Sequence, residues 1–391
     1  MRVLLVDPPL FTLPYDLHFA RALAATGAEV ELVGRPLRAY EPVEPAWGGR
    51  LRPLFYRRAE QRRADWRSSR ATQALKAMEH ALGWWAVERL VARRRPDVLH
   101  LQWLVLPAVD GFFLRRIGRR VPLVLTVHNA SLTAHGAAAL VGRLGARLQT
   151  AGRNGIFGLF DRFLVHTEQT RAHLVRAGVP SARIEVLAHP PLALAPAAAP
   201  APPRAAGPVR ILFFGAIKPY KGVDVLVRAG IELMRTVPDC RIDIVGRPFQ
   251  DLAQERALIA AAGLAERFGF DLRYVPDEDL ARYLAEADIA VFPYREIDAS
   301  GAFALAVAQG LPVVASAIGV FAEPPAADHV CLVPPGDAAA LAAQLRALVT
   351  DPAARARLAA GSRRLQASLV SWQGFAARCL ELYRALPRRR P

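Results

Sequence analysis

At 391 residues the chain exceeds what one ordinary hydrophobic core organises, so two domains are expected, and an apolar content of 53% supplies enough material for two buried sheets. No apolar run reaches the length of a membrane span and no signal-peptide pattern precedes the first strand, so the chain is expected to fold in the cytoplasm; Cys240, Cys331 and Cys379 lack metal-ligand spacing and read as free, partly buried thiols, not as a site. A net charge of +16 calls for a polyanionic partner, whether membrane surface, nucleic acid or anionic substrate.

Arg2 to Val6 form a buried-strand run, Leu17 to Gly27 carry helical periodicity closing on a glycine, and Glu29 to Val33 are the next strand. This βαβ start implies a parallel sheet. The turn from Asp7 to Tyr15 contains no G-x-G-x-x-G, which argues against a dinucleotide at the usual place. Residues 35 to 70 are irregular and basic, with Arg50, Arg52, Arg57, Arg58, Arg62, Arg63, Arg67 and Arg70 set among few acids and Trp66, Trp84 and Trp85 nearby. Arginine with tryptophan suits the headgroup region of an anionic membrane, and a solvated helical face in an arginine-rich chain explains the pattern equally well.

A helical pattern runs from Ala71 to Arg94 and stops at Pro96 and Asp97. Val98 to Trp103 is a strand with polar residues at its end, and Val121 to Val127 is another that delivers His128 and Asn129 to its carboxyl end. Ligands of open α/β sheets sit beyond the carboxyl ends of the strands, so His128 is a candidate site residue, with a satisfied structural histidine as the alternative. Phe163 to Thr167 and Ile184 to His189 repeat the pattern and put His166 and His189 on the same edge. Pro190 to Pro208 is almost wholly alanine and proline, the composition of a semi-rigid linker.

The second half opens on an apolar strand run from Ile211, then the loop Gly215-Ala-Ile-Lys-Pro-Tyr-Lys-Gly222, whose last glycine begins a helical pattern. Of the chain's 51 basic residues, Lys76, Lys218 and Lys221 are the lysines, so two of them stand together at the mouth of this strand. An ammonium meets a phosphate from several directions, and the loop reads as an anion site; a solvated turn with incidental charge is the bland alternative. Further strands are Arg241 to Gly246, Ile289 to Phe292 and Pro312 to Ala315. Between the last two, Ser300 has the character of an N-cap and Gly301 allows close approach to the first amides of a helix spanning Ala302 to Gly310. A helix opening at the end of a parallel strand is an anion site in waiting. Ser300, Gly301 and the two lysines are therefore expected to meet one diphosphate. Helical patterns at 338 to 349, 353 to 366 and 372 to 386 complete the chain before the basic residues Arg388, Arg389 and Arg390.

Taken together, the loop at 215 to 222, the strand-loop-helix around Ser300 and Gly301, the segment Gly310 to Ser316, and the stretches Arg95 to Trp103 and Thr126 to Asn129 resemble the retaining glycosyltransferases of family 4. The resemblance implies the GT-B fold, an α/β architecture of two Rossmann-like parallel-sheet domains facing each other across a cleft. On that basis residues 1–192 form an acceptor-side domain, 193–208 a linker and 209–370 a donor domain; 371–391 form a helix that crosses back to the first domain, with a basic tail.

The resemblance also assigns residues. Lys221 matches the family lysine that meets the donor diphosphate, and His128 the histidine that touches the donor sugar. Ala216 replaces the arginine that usually follows Gly215, with Lys218 supplying the charge. The backbone around Ser300, Gly301 and Ala302 is expected to bind the diphosphate, and Tyr274 to border the base. The paired-glutamate signature falls on Ile297 and Leu305; Glu296 and Asp298 flank the first position, as in a branch that writes Ser-Gly here.

The implied activity is transfer of a sugar from a nucleotide-diphosphate sugar to a hydroxyl of a glycan, lipid-linked glycan or polysaccharide precursor. No metal or cofactor is expected beyond the donor substrate. The implied setting is the cytoplasm, with attachment to the inner membrane face left open by the basic charge. A non-catalytic GT-B nucleotide-sugar-binding protein is one alternative and a basic nucleic-acid-binding protein another. Nucleic acid is not the expected partner, because zinc spacing and interleaved basic and aromatic residues are missing.

Overall fold

Short runs rich in β-branched and aliphatic residues build two parallel sheets, whose central strands are buried while polar residues such as Glu29, Arg52, Glu185 and Asp271 stand at strand ends and on outer strands. The computed structural model describes residues 1–41, 50–61, 70–128, 153–192, 207–297 and 299–389. Arg62, Arg63, Trp66, Arg67, Asn129, Asp298, Arg390 and the linker stretch 193–206 lie outside the described residues. The chain divides into two units, Met1–Ala188 together with Val370–Pro391, and His189–Leu369.

The first unit holds a seven-stranded sheet in the order β3-β2-β1-β4-β5-β6-β7. Its strands are β1 (Arg2–Val6), β2 (Glu29–Gly34), β3 (Leu51–Pro53), β4 (Val98–Leu101), β5 (Leu123–Val127), β6 (Arg162–Val165) and β7 (Ile184–Val186). Strand order reverses between β1 and β4, where Leu5 stands opposite both Leu32 and His100. The first helix spans Leu13–Ala25 and begins four residues before the periodicity suggests. Pro14 belongs to its first turn, where the missing N–H costs nothing. Within the stretch expected to be irregular, β3 and a helix at Arg57–Gln61 are formed.

The C-terminal helix Trp372–Arg384 belongs to this first unit, where Phe375, Ala376, Cys379, Leu380 and Tyr383 share a core with Phe19, Leu23 and Leu32. His100 joins the two: its Nδ1 lies 2.5 Å from the Tyr383 hydroxyl and its Nε2 2.7 Å from Thr126 Oγ1. Burial pushes this imidazole down to about 3, so it bridges sheet and helix as a neutral ring.

The second unit holds six strands in the order β10-β9-β8-β11-β12-β13. They are β8 (Val209–Phe214), β9 (Cys240–Val245), β10 (Phe268–Asp271), β11 (Ile289–Phe292), β12 (Val313–Ser316) and β13 (Cys331–Val333). Here the order reverses between β8 and β11, and in open α/β sheets such a reversal opens a crevice at the carboxyl ends. Among the described residues no helix is long and apolar enough to cross a membrane. The three cysteines are free, Cys240 and Cys379 buried and Cys331 partly so.

Candidate active site

The reversal point of the second unit is built from glycines. Gly215 follows β8 at φ +107°, and a Cβ there would lie 3.3 Å from Lys221 Nζ and 3.7 Å from Ala302 Cβ. One bare backbone position is thus flanked by an ammonium on one side and a helix start on the other. Gly246 permits the next turn to run against it, since a Cβ at that position would fall 2.0 Å from the Gly215 carbonyl oxygen.

After Lys218 the chain makes a short 3-10 turn, Pro219–Lys221, and leaves it through Gly222 at φ +68°. A side chain at Gly222 would meet the Pro293 carbonyl oxygen at 1.9 Å, so the loop after β11 is seated directly on this glycine. The same loop is tied by Arg295, whose N–H donates to the Tyr220 carbonyl at 2.7 Å and whose guanidinium pairs with Asp224 at 2.6 Å. Its far end rests on Gly319, where a Cβ would lie 1.9 Å from the Ile297 carbonyl oxygen. The pinned loop delivers Ser300, whose hydroxyl accepts the Phe303 N–H at 3.2 Å and caps the helix Gly301–Ala308.

Both lysines are desolvated. Lys221 is 8% exposed, its Nζ 5.0 Å from the Tyr294 ring centroid. Burial lowers its affinity for the proton. Lys218 Nζ stands 5.7 Å from the Phe249 ring and 6.0 Å from the Tyr220 ring. Burial, and then the neighbouring Lys221, bring Lys218 down to about 8. An ammonium beside a helix N-terminus, with Lys218 close enough to feel its charge, forms a site that an oxyanion satisfies, and a diphosphate fits that demand.

Gly215, Lys221 and Ala302 meet in the structure, with Ser300 and Gly301 placed by the cap of the same helix. Ala216 lies in the same turn, and its neighbour Ile217 bonds back to Arg247 at 2.9 Å. Glu296 is exposed on the pinned loop, and Tyr220 feels its charge. Leu305, where the second signature glutamate would stand, is buried in the core. Tyr274, 38% exposed, belongs to the loop after β10, separated from β8 by β9.

In the first unit, His128 ends β5 and is almost fully buried, its Nε2 3.0 Å from Gln102 Oε1. That pairing places the proton on Nε2. The ring stacks on Trp103 at 5.1 Å and 19° and takes the edge of Tyr15 at 4.9 Å, with His166 at 5.4 Å. Asp7 and Asp16 lie buried behind this group, bonded through Thr12. Tyr15, Gln102, Trp103, Asp7 and Asp16 were not among the site residues expected from sequence. Applying the carboxyl-end rule to β1 and β4 as well as β5 would have picked out Asp7 and Gln102. Among the described residues no three His, Cys, Asp or Glu side chains converge as a metal set.

Two family models match the chain: a glycosyl transferase 4-like domain over residues 14–190 and glycosyl transferases group 1 over residues 208–351. A D-inositol 3-phosphate glycosyltransferase of Frankia alni is 31% identical over 401 residues, covering 95% of this chain and 93% of the relative. Sucrose-phosphate synthase from Thermosynechococcus elongatus has the same fold, with a TM-score of 0.70 at 21% identity over 98% of each chain. Anabaena HepE in complex with UDP-glucose aligns at a TM-score of 0.66 and 15% identity over 99% of this chain and 100% of that one. The chain belongs to the group 1 glycosyltransferases, the GT4 family of GT-B enzymes.

Proposed function

We propose that this glycosyltransferase binds the diphosphate of its nucleotide-sugar donor at Gly215, with Lys221, Lys218 and the amides of Ser300, Gly301 and Ala302 as ligands, and passes the sugar to an acceptor hydroxyl with retention. The observation that carries the reading is the approach of Lys221 Nζ and the Ala302 helix start to one bare glycine. As the anomeric bond breaks, negative charge grows on the departing diphosphate, so groups fixed around it stabilise the transition state more than the ground state. In this scheme the departing phosphate oxygen takes the acceptor proton, and the protein's contribution is charge and position. His128 is proposed to hold a sugar hydroxyl, Tyr274 to border the base, and Glu296 to take part in donor binding. The positive charge of the scheme comes from the two ammoniums and the helix amides.

The complex of HepE with UDP-glucose supports a uridine donor, and the relative named for D-inositol 3-phosphate supports a polyhydroxylated acceptor, here proposed to be a glycan or lipid-linked glycan. Thermal-shift measurements with UDP, GDP and ADP and their glucose and mannose esters test the donor site. A shift with one nucleotide series that Lys221→Ala abolishes is the expected result. No shift with any of them, or an equal shift in Lys221→Ala, overturns the proposal.

The acceptor is further proposed to be met at an anionic membrane surface on the cytoplasmic side. Met78, Leu82 and Trp85 are exposed along one stripe of the helix Arg70–Arg94, and Phe112 is exposed on the helix Pro107–Ile117. Arg89 lies 4.7 Å over Trp85, and Arg116 5.8 Å from the Phe112 ring. The sequence does not separate the two adjacent tryptophans. Trp84 is wholly buried, its indole N–H donating to Asp110 Oδ1 at 2.7 Å, and Trp85 alone of the pair faces outward. Co-sedimentation with phosphatidylglycerol vesicles but not phosphatidylcholine vesicles, lost in Leu82→Ser/Trp85→Ser, is expected; equal sedimentation with both lipids counts against it.

A further inference from the structure

The turn after β1 contains a group that the transfer scheme leaves unused. Asp7 and Asp16 are both 0% exposed. Their Oδ2 atoms converge on the Thr12 hydroxyl at 3.3 and 3.5 Å, and the Thr12 N–H donates to Asp7 Oδ2 at 3.2 Å. The Oδ1 atom of each is buried without a hydrogen-bond partner. Two carboxyls in contact and away from water do not both ionise, because each charge raises the cost of the other and neither is hydrated.

Among the described residues the cation acting on Asp7 is Arg35, and most of its charge is already taken up. Arg35 faces Asp7, but its guanidinium is held by Glu41 at 2.7 and 2.6 Å and by the Pro9 carbonyl at 2.9 Å, with Glu60 at 3.9 Å adding further negative charge. Tyr15 on the same helix as Asp16, Tyr56 before the helix Arg57–Gln61, and Cys379 on the C-terminal helix are all pushed up by burial and stay neutral. His128 and His166 stand beyond Tyr15. In these surroundings burial raises Asp7 to about 6 and Asp16 well above the usual carboxyl range, each acting on the other.

Thr12 connects this pair to the site. Its hydroxyl accepts the Trp103 indole N–H at 3.1 Å, and the Trp103 ring is the one stacked on His128. Leu10, between Asp7 and Thr12, sits at φ +49°, a conformation a leucine adopts only when its surroundings hold it there. We infer that Asp7 and Asp16 share one proton in the working enzyme and are positioning residues. The shared proton keeps the two carboxyls together on Thr12, Thr12 fixes the Trp103 indole, and the indole sets the plane of the His128 ring.

The inference rests on His128 taking part in transfer, and two measurements on the full-length protein separate the two. Carbon-13 titration of aspartate-labelled protein, with assignments from Asp7→Asn and Asp16→Asn, reads the proton directly. One carboxyl still protonated well above the usual carboxyl range is expected; both ionising at ordinary values near 4 overturns the inference whatever His128 does. The pH profile of kcat/KM, followed as UDP release from UDP-glucose, reads the coupling to the site. Wild type is expected to lose activity as the pair gives up its proton. Asp16→Asn should remove that alkaline decline, and Asp16→Ala should fall at least tenfold below Asp16→Asn. Superimposable profiles for wild type and Asp16→Asn overturn the positioning role.

Melting curves guard against misfolded variants and carry a sign of their own. The folded pair keeps a proton that the unfolded chain loses near pH 4, so wild-type stability falls as pH rises from there through the folded value of Asp16, and Asp16→Asn should abolish that fall. Loss of activity in His128→Ala tests the premise separately.

Discussion

The two units solve the same topological problem with opposite chemistry. Each places its candidate site residues beyond the carboxyl ends of a parallel sheet. In the second unit that edge is bare backbone and ammonium: Lys221 Nζ stands beside Gly215, while Gly222 and Gly246 make room for the Pro293 and Gly215 carbonyls. In the first unit it is aromatic and largely neutral, with His128 between Trp103 and Tyr15 and a carboxyl pair behind. One edge is suited to hold negative charge against hydration, the other to orient an uncharged ring by hydrogen bonding and stacking. The contrast predicts that substitutions in the second unit act first on donor affinity, and those in the first unit act on turnover.

The most severe break should come from Gly222→Ala. Its Cβ would meet the Pro293 carbonyl oxygen at 1.9 Å with the backbone at φ +68°, so either the lysine turn or the pinned loop must move. Nucleotide-induced thermal shifts should vanish and the melting temperature of the protein should drop, while the tryptophan environment of the first unit stays intact. Next, Lys221→Ala removes the ammonium proposed to face the leaving group. A donor of this kind is worth about 3 kcal/mol, so kcat/KM for UDP-glucose should fall by on the order of a hundredfold or more. A loss under about threefold would mean that Lys221 does not face the leaving group.

His128→Ala sharpens the comparison from the other side. A single hydrogen bond of about 1.5 kcal/mol predicts roughly a tenfold loss in kcat, with UDP affinity unchanged in calorimetry. A matching loss of UDP affinity would erase the distinction between the two edges. The smallest effect is the pH dependence of Lys218. With its folded value lowered from 10.5 to about 8, the empty site loses one positive charge as pH rises through about 8, and UDP binding should weaken there. Stability moves the other way: between those values the unfolded chain binds the extra proton, so the folded state gains as pH rises. Lys218→Arg should flatten the affinity profile, because guanidinium keeps its charge throughout.

Much of this contrast is legible in the residues themselves. Apolar runs locate β1, β5, β8, β11 and β12 because strands buried on both faces leave little room for polar side chains, and β2 is read from the run Glu29-Val-Glu-Leu-Val33. The lysine loop and the Ser300 cap stand out because each is built from local geometry, a turn, a glycine and a helix start lying close together in sequence, the features an anion site would need. The edge strands β3, β10 and β13 escape notice, being three or four residues long and partly exposed. The helix start at Leu13 is hidden by a proline that resembles a turn. Trp84 and Trp85 are chemically identical neighbours, separated only by which side of a helix packs. The Asp7 and Asp16 pair is invisible for a deeper reason: nothing local joins a strand end to a helix one turn away until the intervening loop folds back through Thr12.

The return of the last helix to the first unit has a consequence for how the molecule comes into being. Phe375, Cys379, Leu380 and Tyr383 complete a core begun by Phe19 and Leu23, so the first unit stays unfinished until residues 370–384 emerge from the ribosome. The lysine-bearing unit, contiguous from His189 to Leu369, has no such wait and can close while the chain is still being extended. Synthesis order and folding order are thereby inverted. A nascent chain stalled before Val370 would present a completed second unit, with Phe19 and Leu23 of the helix Leu13–Ala25 lacking their partners Phe375, Cys379, Leu380 and Tyr383.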